Sequence, residues 1–446
     1  MSFPAGFVWG AATAAFQIEG ATTVDGRGES IWDRFCDTPG RVANGDSGDP
    51  ACEHYFRWQD DLDLMQSLGL QGYRFSISWP RVQPDGRGAP NRKGIDFYRR
   101  LVDGLRERGI DPLATLYHWD LPQPLQDAGG WASRDVVDRF VDYARLMFDA
   151  LGDGVAAWLT HNEPWVTAFL GYGYGTKAPG IQDWRAALAA SHHLLLSHGR
   201  AVAAYRAGGS TAPIGITLDL TQVYGEPAAA RRMDGHRNRW FLDPLLRGGY
   251  PADMLDVYEE RVGPLDFIRR DDLAEIAAPV DFLGINFYQP GVVREGDKPP
   301  VGVELVPPEG RQTAMGWRVE PHTFTELLLR LRRDYGDIPL VITENGASFD
   351  DPPLDGQTVV EDPERLEYLR EHIAAVERAV AAGVDVRGYY VWSLFDNFEW
   401  EHGYASRFGI VHVDFETQRR TPKRSALWYR DLISSNGNGN GGGDHG

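Results

Sequence analysis

Cysteine is nearly missing from this chain: Cys36 and Cys52 are the only two in 446 residues. That excludes a disulfide-built scaffold, and the two thiols lack nearby ligands at zinc spacing, so no metal is expected. A single disulfide between them stays open. The amino terminus, Met1-Ser2-Phe3-Pro4-Ala5-Gly6, has neither a basic start nor a long apolar stretch, so no signal peptide is expected and a reducing cytoplasm is the expected compartment. No apolar run reaches the roughly eighteen residues of a membrane span. Basic side chains are in deficit, 45 against 64 acidic ones for a formal charge of −19. This argues against nucleic acid or an anionic membrane surface as a partner and reads most simply as a solubilising acidic surface.

Motifs for other chemistries are lacking too. There is no Gly-x-x-x-x-Gly-Lys-Ser/Thr phosphate loop, and Gly171-Tyr172-Gly173-Tyr174-Gly175 lacks the final-glycine spacing of a dinucleotide loop. No Gly-x-Ser-x-Gly nucleophile elbow occurs. His192, His193 and His198 lie on a predicted helix and read as packing residues, not metal ligands.

What the chain does have is a repeating order of elements. Hydrophobic residues make up 42%, with 51 glycines and 28 prolines, the composition of a large globular enzyme rich in turns. Short apolar, β-rich runs recur at 7–12, 72–78, 113–117, 156–160, 214–218, 282–286, 340–343 and 388–392. Between them lie helical patterns such as 60–68, 136–151, 186–204 and 363–382, with apolar residues at three and four spacing. Strand followed by helix, eight times over, requires parallel strands, and closing them into a barrel removes the exposed edges. The runs are continuous and not alternating, as expected where both faces of a strand are covered. The fold class read from this is α/β, a single (β/α)8 TIM barrel over 1–433 with elaborated loops on its C-terminal face. The glycine- and asparagine-rich stretch 434–446 is expected to be a disordered tail. Insertions after the first strand (26–51), the sixth (289–316) and the eighth (395–422) fall where such a barrel builds its active face. For 290–310 a plain surface excursion is the alternative.

The residues at or just past the strand ends are Gln17 and Glu19, Arg74, His118 with Trp119 and Asp120, Asn162 and Glu163, Asn286 and Tyr288, Glu344 and Asn345, and Trp392. Amide, imidazole and carboxylate groups exchange several hydrogen bonds with adjacent hydroxyls, so this rim suits a polyhydroxylated ligand. Glu163, in Trp158-Leu159-Thr160-His161-Asn162-Glu163-Pro164, and Glu344, in Leu340-Val341-Ile342-Thr343-Glu344-Asn345-Gly346, are carboxylates closing the fourth and seventh strands. Two such groups facing one cavity suit glycosidic bond cleavage, one as acid and the other as nucleophile or base. Arg74 is available to keep one of them ionised, and the other must retain its proton through burial or a negative neighbour. His118 is read as a neutral hydrogen-bonding ring, with a base as the alternative. In Trp392-Ser393-Leu394-Phe395-Asp396-Asn397-Phe398-Glu399-Trp400, Glu399 is read as accepting two sugar hydroxyls while Trp400 covers the ring face; a second acid is the alternative reading of Glu399.

These segments resemble the family 1 glycoside hydrolases, chiefly bacterial β-glucosidases. The resemblance runs from Phe7-Val8-Trp9-Gly10-Ala11-Ala12-Thr13 through Thr115-Leu116-Tyr117-His118-Trp119-Asp120-Leu121-Pro122, Asn162-Glu163-Pro164, Thr343-Glu344-Asn345-Gly346 and Asn397-Phe398-Glu399-Trp400 to Arg407-Phe408-Gly409-Ile410. It implies that Glu163 is the general acid/base and Glu344 the nucleophile of a retaining β-glucosidase. It gives sugar contacts to Gln17, His118, Trp119, Asn162, Asn286, Trp392, Glu399, Trp400 and Phe408. Tyr288 and Arg74 would hold Glu344, and Trp317 would line the leaving-group side. The intact Glu399-Trp400 pair points to unphosphorylated sugars. Expected substrates are small β-glucosides and oligosaccharides such as cellobiose, galactosides and fucosides included, with no cofactor and a monomer or small homo-oligomer. A transglycosylating β-glycosidase and a non-catalytic sugar-binding barrel are the alternatives. The chain departs from the family pattern at His161, at Lys177 and at Glu401-His402; His161 is expected to point away from Glu163.

Overall fold

In the computed structural model, residues 2–353 and 356–438 are described. Thirteen strands occur among them. Eight, β1 (Val8–Ala12), β2 (Gly72–Ser76), β3 (Asp111–Tyr117), β4 (Ala157–Asn162), β5 (Ile214–Asp219), β7 (Phe282–Asn286), β10 (Leu340–Asn345) and β11 (Val386–Trp392), close a barrel in the order β1-β11-β10-β7-β5-β4-β3-β2. Every neighbouring pair is parallel, and the seam between β1 and β11 aligns Val8 with Gly388 through Ala12 with Trp392. Each expected run is a barrel strand. β7 matches at both ends, whereas β4 and β10 continue two residues further because Asn162 still pairs with Thr217 and Glu344 with Asn286.

The barrel interior changes character along its axis. One layer packs Leu113, Leu159, Phe282 and Tyr390 with Val8, Ala157 and Val341. Nearer the C-terminal mouth the inward side chains turn polar: Arg74 Nε donates to Thr115 Oγ1 (3.2 Å), and Thr217 and Thr343 join hydroxyls at 3.3 Å. An apolar floor under a polar layer makes a rigid platform for charge. Outside, helices His54–Ser67, Asp135–Leu151, Trp184–Ala207 and Pro363–Ala381 contain the four helical patterns, except that the first runs from His54 and stops at Ser67, and the last ends at Ala381. The longest starts at Asp183, whose carboxylate accepts from the backbone N–H of Arg185 and Ala186, satisfying donors the helix start leaves unpaired. No helix among the described residues is long and apolar enough to cross a membrane.

The loops differ from expectation in two places. An insertion after β5 was not anticipated; it holds β6 (Val223–Gly225), which pairs with β8 (Gly291–Glu295) and through it with β9 (Val303–Leu305) in a small sheet. The 290–310 segment is therefore structured, with Val293, Val301 and Val303 buried. After β11, β12 (Val411–Val413) and β13 (Arg420–Pro422) form a hairpin. The final helix, Arg424–Asn438, passes the expected tail boundary at 434. Ser434, Ser435 and Asn436 continue that helix, each donating a side-chain hydrogen bond to a carbonyl one turn back. The remainder of that expected tail, 439–446, lies outside the described residues. Cys36 and Cys52 are both free and buried, which closes the disulfide alternative.

Candidate active site

Glu163 follows β4 directly, and its backbone adopts φ +48°. A left-handed conformation is uncommon without glycine, and here the Glu163 N–H donates to Thr217 O at 3.0 Å and fixes it. Trp119 and Trp400 are left-handed as well, at φ +78° and +50°. Three residues expected to meet the sugar thus sit where the backbone is strained. Glu344 lies inside β10, next to Asn286 of β7. Gly346 follows because β11 passes too close for a side chain: a Cβ there would stand 1.6 Å from Trp392 O.

Asn286 ties the two glutamates together. Its Nδ2 donates to Glu163 Oε1 at 2.6 Å and to Asn162 Oδ1 at 3.1 Å, and its Oδ1 accepts from Thr343 Oγ1 at 2.7 Å. Glu344 is the strand partner of the same residue. Beyond this shared neighbour the two environments diverge. Glu344 accepts from Arg74 Nη1 and from the Tyr288 hydroxyl, both at 2.5 Å. Burial raises its carboxyl, while Arg74 and Tyr288 pull it back toward the ionised form. Glu163 has no cation in hydrogen-bond contact among the described residues. Burial first, then the charges of Asp219 and Glu344, push it well above the ordinary carboxyl range, against smaller opposing effects of Asn286 and Arg237. Both carboxyls are raised, Glu163 the further, so Glu163 keeps its proton to higher pH than Glu344 does.

The orientation of Asn162 follows from its neighbours. Arg74 Nη2 (2.7 Å) and Asn286 Nδ2 can only donate, so the oxygen of Asn162 faces them and its Nδ2 faces His118 Nε2 at 3.1 Å. That ring nitrogen must accept, leaving the His118 proton on Nδ1, which has no partner among the described residues. Burial and the Arg74 charge also hold His118 well below the usual histidine range, so the ring is neutral. Gln17 donates to Asn397 Oδ1, Phe398 O and Glu399 Oε2 at 3.1, 2.8 and 3.3 Å, and its own Oε1 is unpartnered. An N–H donor and an amide acceptor, both buried and free, are what vicinal hydroxyls require. Burial pushes the Glu399 carboxyl up to about 8.

Aromatic rings wall this space. Trp392 and Trp400 lie 5.9 and 6.1 Å from the His118 ring, and Trp119 packs on Trp400 at 4.6 Å while donating from Nε1 to Asn162 O (3.0 Å). Half-buried Trp317 lies 5.2 Å from Tyr288 and 5.8 Å from Phe408, at the rim beyond Glu344. All fourteen sequence-derived residues therefore belong to one cluster around the barrel mouth. Arg74 is inside β2 and not past its end, with its side chain filling the polar layer. Glu19 and Asp120 stand apart. Glu19 accepts from Arg81 (2.7 Å) and Tyr98 (2.6 Å), and Asp120 is a buried carboxyl pushed up to about 8. His161 turns away as expected, with Nε2 on Ser197 Oγ (2.8 Å) and its ring on Phe140 (4.3 Å). The other two departures meet each other: Lys177 Nζ pairs with Glu401 at 2.6 Å and lies 5.4 Å from the Trp119 ring centroid. His192 bonds Asp272 and Tyr250, a packing role. Among the described residues no group of three or more His, Cys, Asp or Glu could hold a metal ion.

Asp219 and Arg237 went unread. Asp219 ends β5, the one strand end from which no candidate was taken, and it pairs with Arg237 at 2.7 Å. Supporting the far wall is a buried cluster: Lys423 bridges Asp351 and Asp396, Arg365 binds Asp351 and Asp362, and Arg407 binds Asp396. It clamps the segment from Asp396 to Gly409 that carries Glu399, Trp400 and Phe408.

Comparison with known proteins agrees with this geometry. The sequence profile of glycosyl hydrolase family 1 matches residues 1–438. Beta-glucosidase A of Acetivibrio thermocellus is 46% identical over 98% of this chain and 99% of its own. The bifunctional beta-D-glucosidase/beta-D-fucosidase of Bifidobacterium breve is 45% identical over 97% and 98%. The beta-glucosidase from Thermotoga maritima in complex with glucoimidazole superposes with a TM-score of 0.93 at 44% identity, covering 98% of this chain and 99% of that one. This chain belongs to glycosyl hydrolase family 1.

Proposed function

We propose that the protein is a retaining β-glucosidase that removes terminal nonreducing β-D-glucosyl residues from small oligosaccharides such as cellobiose and from aryl glucosides. The observation that carries this reading is the different environment of two carboxyl groups at one barrel mouth, Glu344 on Arg74 and Tyr288 and Glu163 on the Asn286 amide. Glu344, ionised by Arg74 and Tyr288, attacks the anomeric carbon; Glu163, still protonated, gives its proton to the departing oxygen. The glycosyl-enzyme ester is then cleaved by water, whose proton returns to Glu163. This double displacement requires carboxyl groups about 5–5.5 Å apart, close enough that the second attacks the sugar directly and not through a water. Gln17, His118, Asn162 and Glu399 take the sugar hydroxyls, with Trp392, Trp400 and Trp119 against its faces. Trp317 and Phe408 border the leaving group. The name of the Bifidobacterium breve relative supports fucosides as further substrates. Two free, buried thiols agree with a reducing cytoplasm.

Three measurements test the assignment together. Proton NMR of the first product should show the β-anomer. Glu344→Gly should lose hydrolysis yet couple α-glucosyl fluoride to an acceptor sugar. Glu163→Ala should still react with activated aryl glucosides and, with azide, release β-glucosyl azide. Appearance of the α-anomer first, or no azide effect, would refute it.

A further inference from the structure

The proton on Glu163 has to survive in a site that also holds Arg74, so the surroundings of Glu163 decide over what pH range the acid is ready. The charged or titratable groups facing it come from six parts of the fold. β10 contributes Glu344 and the loop after β7 contributes Tyr288, whose hydroxyl is committed to Glu344. β2 contributes Arg74, committed to Glu344 and Asn162. β3 contributes His118, which is neutral. The π-helical turn Gly235–Arg239 contributes Arg237 and His236; burial pushes His236 down to about 3, so it too is neutral. β5 contributes Asp219.

Asp219 is placed with care by the fold. Thr217, two residues earlier, takes the Glu163 N–H on its carbonyl and points its hydroxyl into the barrel toward Thr343. Alternation along a strand puts Asp219 on the same inward face, one step nearer the mouth. Its strand neighbour is Asn286, the residue whose amide holds Glu163. Behind it, Arg237 pairs with Asp219 at 2.7 Å and stacks 3.7 Å above the ring of Trp165, which lies on the turn following Glu163. The guanidinium is thus pinned by a ring on one side and a carboxylate on the other. Asp219 is 7% exposed, and burial pushes it up to about 6 against the pull of Arg237, so it is still largely ionised at neutral pH. Its push on Glu163 outweighs the opposite pull of Arg237.

We propose that Asp219, held by Arg237, is a positioning residue for the proton of Glu163: a fixed negative charge at the end of β5 that keeps the acid protonated and extends activity to higher pH. The proposal rests on the acid/base reading of Glu163 and adds to it the group that sets its working range. In each cycle the proton leaves Glu163 for the departing oxygen and is restored from water; Asp219 transfers nothing and acts only through its charge.

The test is the pH profile of kcat/KM for Asp219→Asn, which keeps the shape and removes the charge. With cellobiose, whose leaving group needs the proton, the alkaline limb should move toward acid by about half a unit to one unit, a roughly three- to tenfold loss above the limb. The acid limb, set by Glu344, should move less than half as far. With 2,4-dinitrophenyl glucoside, whose leaving group needs no proton, kcat/KM should stay within about twofold over the same range. Asp219→Ser should shift the limb as Asn does, and serves in its place should the amide variant not fold; Asp219→Glu should restore the wild-type limb. An alkaline limb that stays in place, or equal losses on both substrates at every pH, overturns the proposal. Failure of the acid/base reading itself would show separately, as absence of azide rescue in Glu163→Ala with Asp219 intact.

Discussion

Replacing Tyr288 with phenylalanine removes one oxygen from the site and little else. The ring keeps its contacts with Trp317 and Phe408, while Glu344 Oε2 loses the donor that stood at 2.5 Å. A hydrogen bond to a charged group contributes about 1.5–3 kcal/mol. At roughly 1.4 kcal/mol per pH unit this is a shift of about one to two units, and because Arg74 still holds the other oxygen the low end applies. The direction follows from which form works. Glu344 attacks as the carboxylate, burial already lifts its carboxyl, and Tyr288 opposes that lift; without the hydroxyl the group holds its proton to higher pH. The acid limb of kcat/KM should therefore move about one unit toward alkali. At the pH where the wild-type enzyme is half active, the variant should stand about fivefold below the wild type when each is scaled to its own plateau. Stopped assays with nitrophenyl glucoside across the acid range measure this directly. An acid limb unmoved within about 0.3 unit, with activity depressed equally at all pH values, would mean that Tyr288 only packs and that ionisation of Glu344 does not depend on it.

Two further perturbations probe the frame and a family departure. Lys423→Met leaves Asp351 and Asp396 facing one another with only Arg365 and Arg407 to compensate, and breaking a buried pair typically costs about 3–5 kcal/mol, so chemical denaturation should show a loss near the lower figure; an unchanged midpoint would refute the clamp. His161→Leu should leave both pH limbs in place, since that ring is neutral and bonded to Ser197 away from Glu163, and should lower stability by about 1 kcal/mol for the lost hydrogen bond; a moved alkaline limb would show that His161 does reach the acid.

Legibility followed distance along the chain. The eight barrel strands could be read because each is covered on both faces, so its sequence is a short unbroken apolar run, as in 282–286. Glu163 and Glu344 stood out because a charge ending such a run is conspicuous. Strand β6 was invisible: two half-exposed residues and an exposed glycine, Val223–Gly225, acquire extended structure only by pairing with β8, some seventy residues on. Asp219 looked like any strand-terminal acid, since its significance comes from Arg237 on another element and from Asn286 on another strand. Lys177 and Glu401 were each noted as unusual, yet only folding shows that one answers the other. Ser434 to Asn436 were read by composition, yet they continue the helix that starts at Arg424.

The barrel closes where β1 meets β11, and the pocket straddles that line: Gln17 on one bank donates to Glu399 on the other, 382 residues away in the chain. A ribosome makes one bank 382 residues before the other, so no partly synthesised chain that stops short of Glu399, and no half-zipped one, possesses a complete pocket. Turnover then reports on ring closure itself. Regain of activity during refolding should trail the regain of helical signal, and the interval between them would time the joining of the two banks.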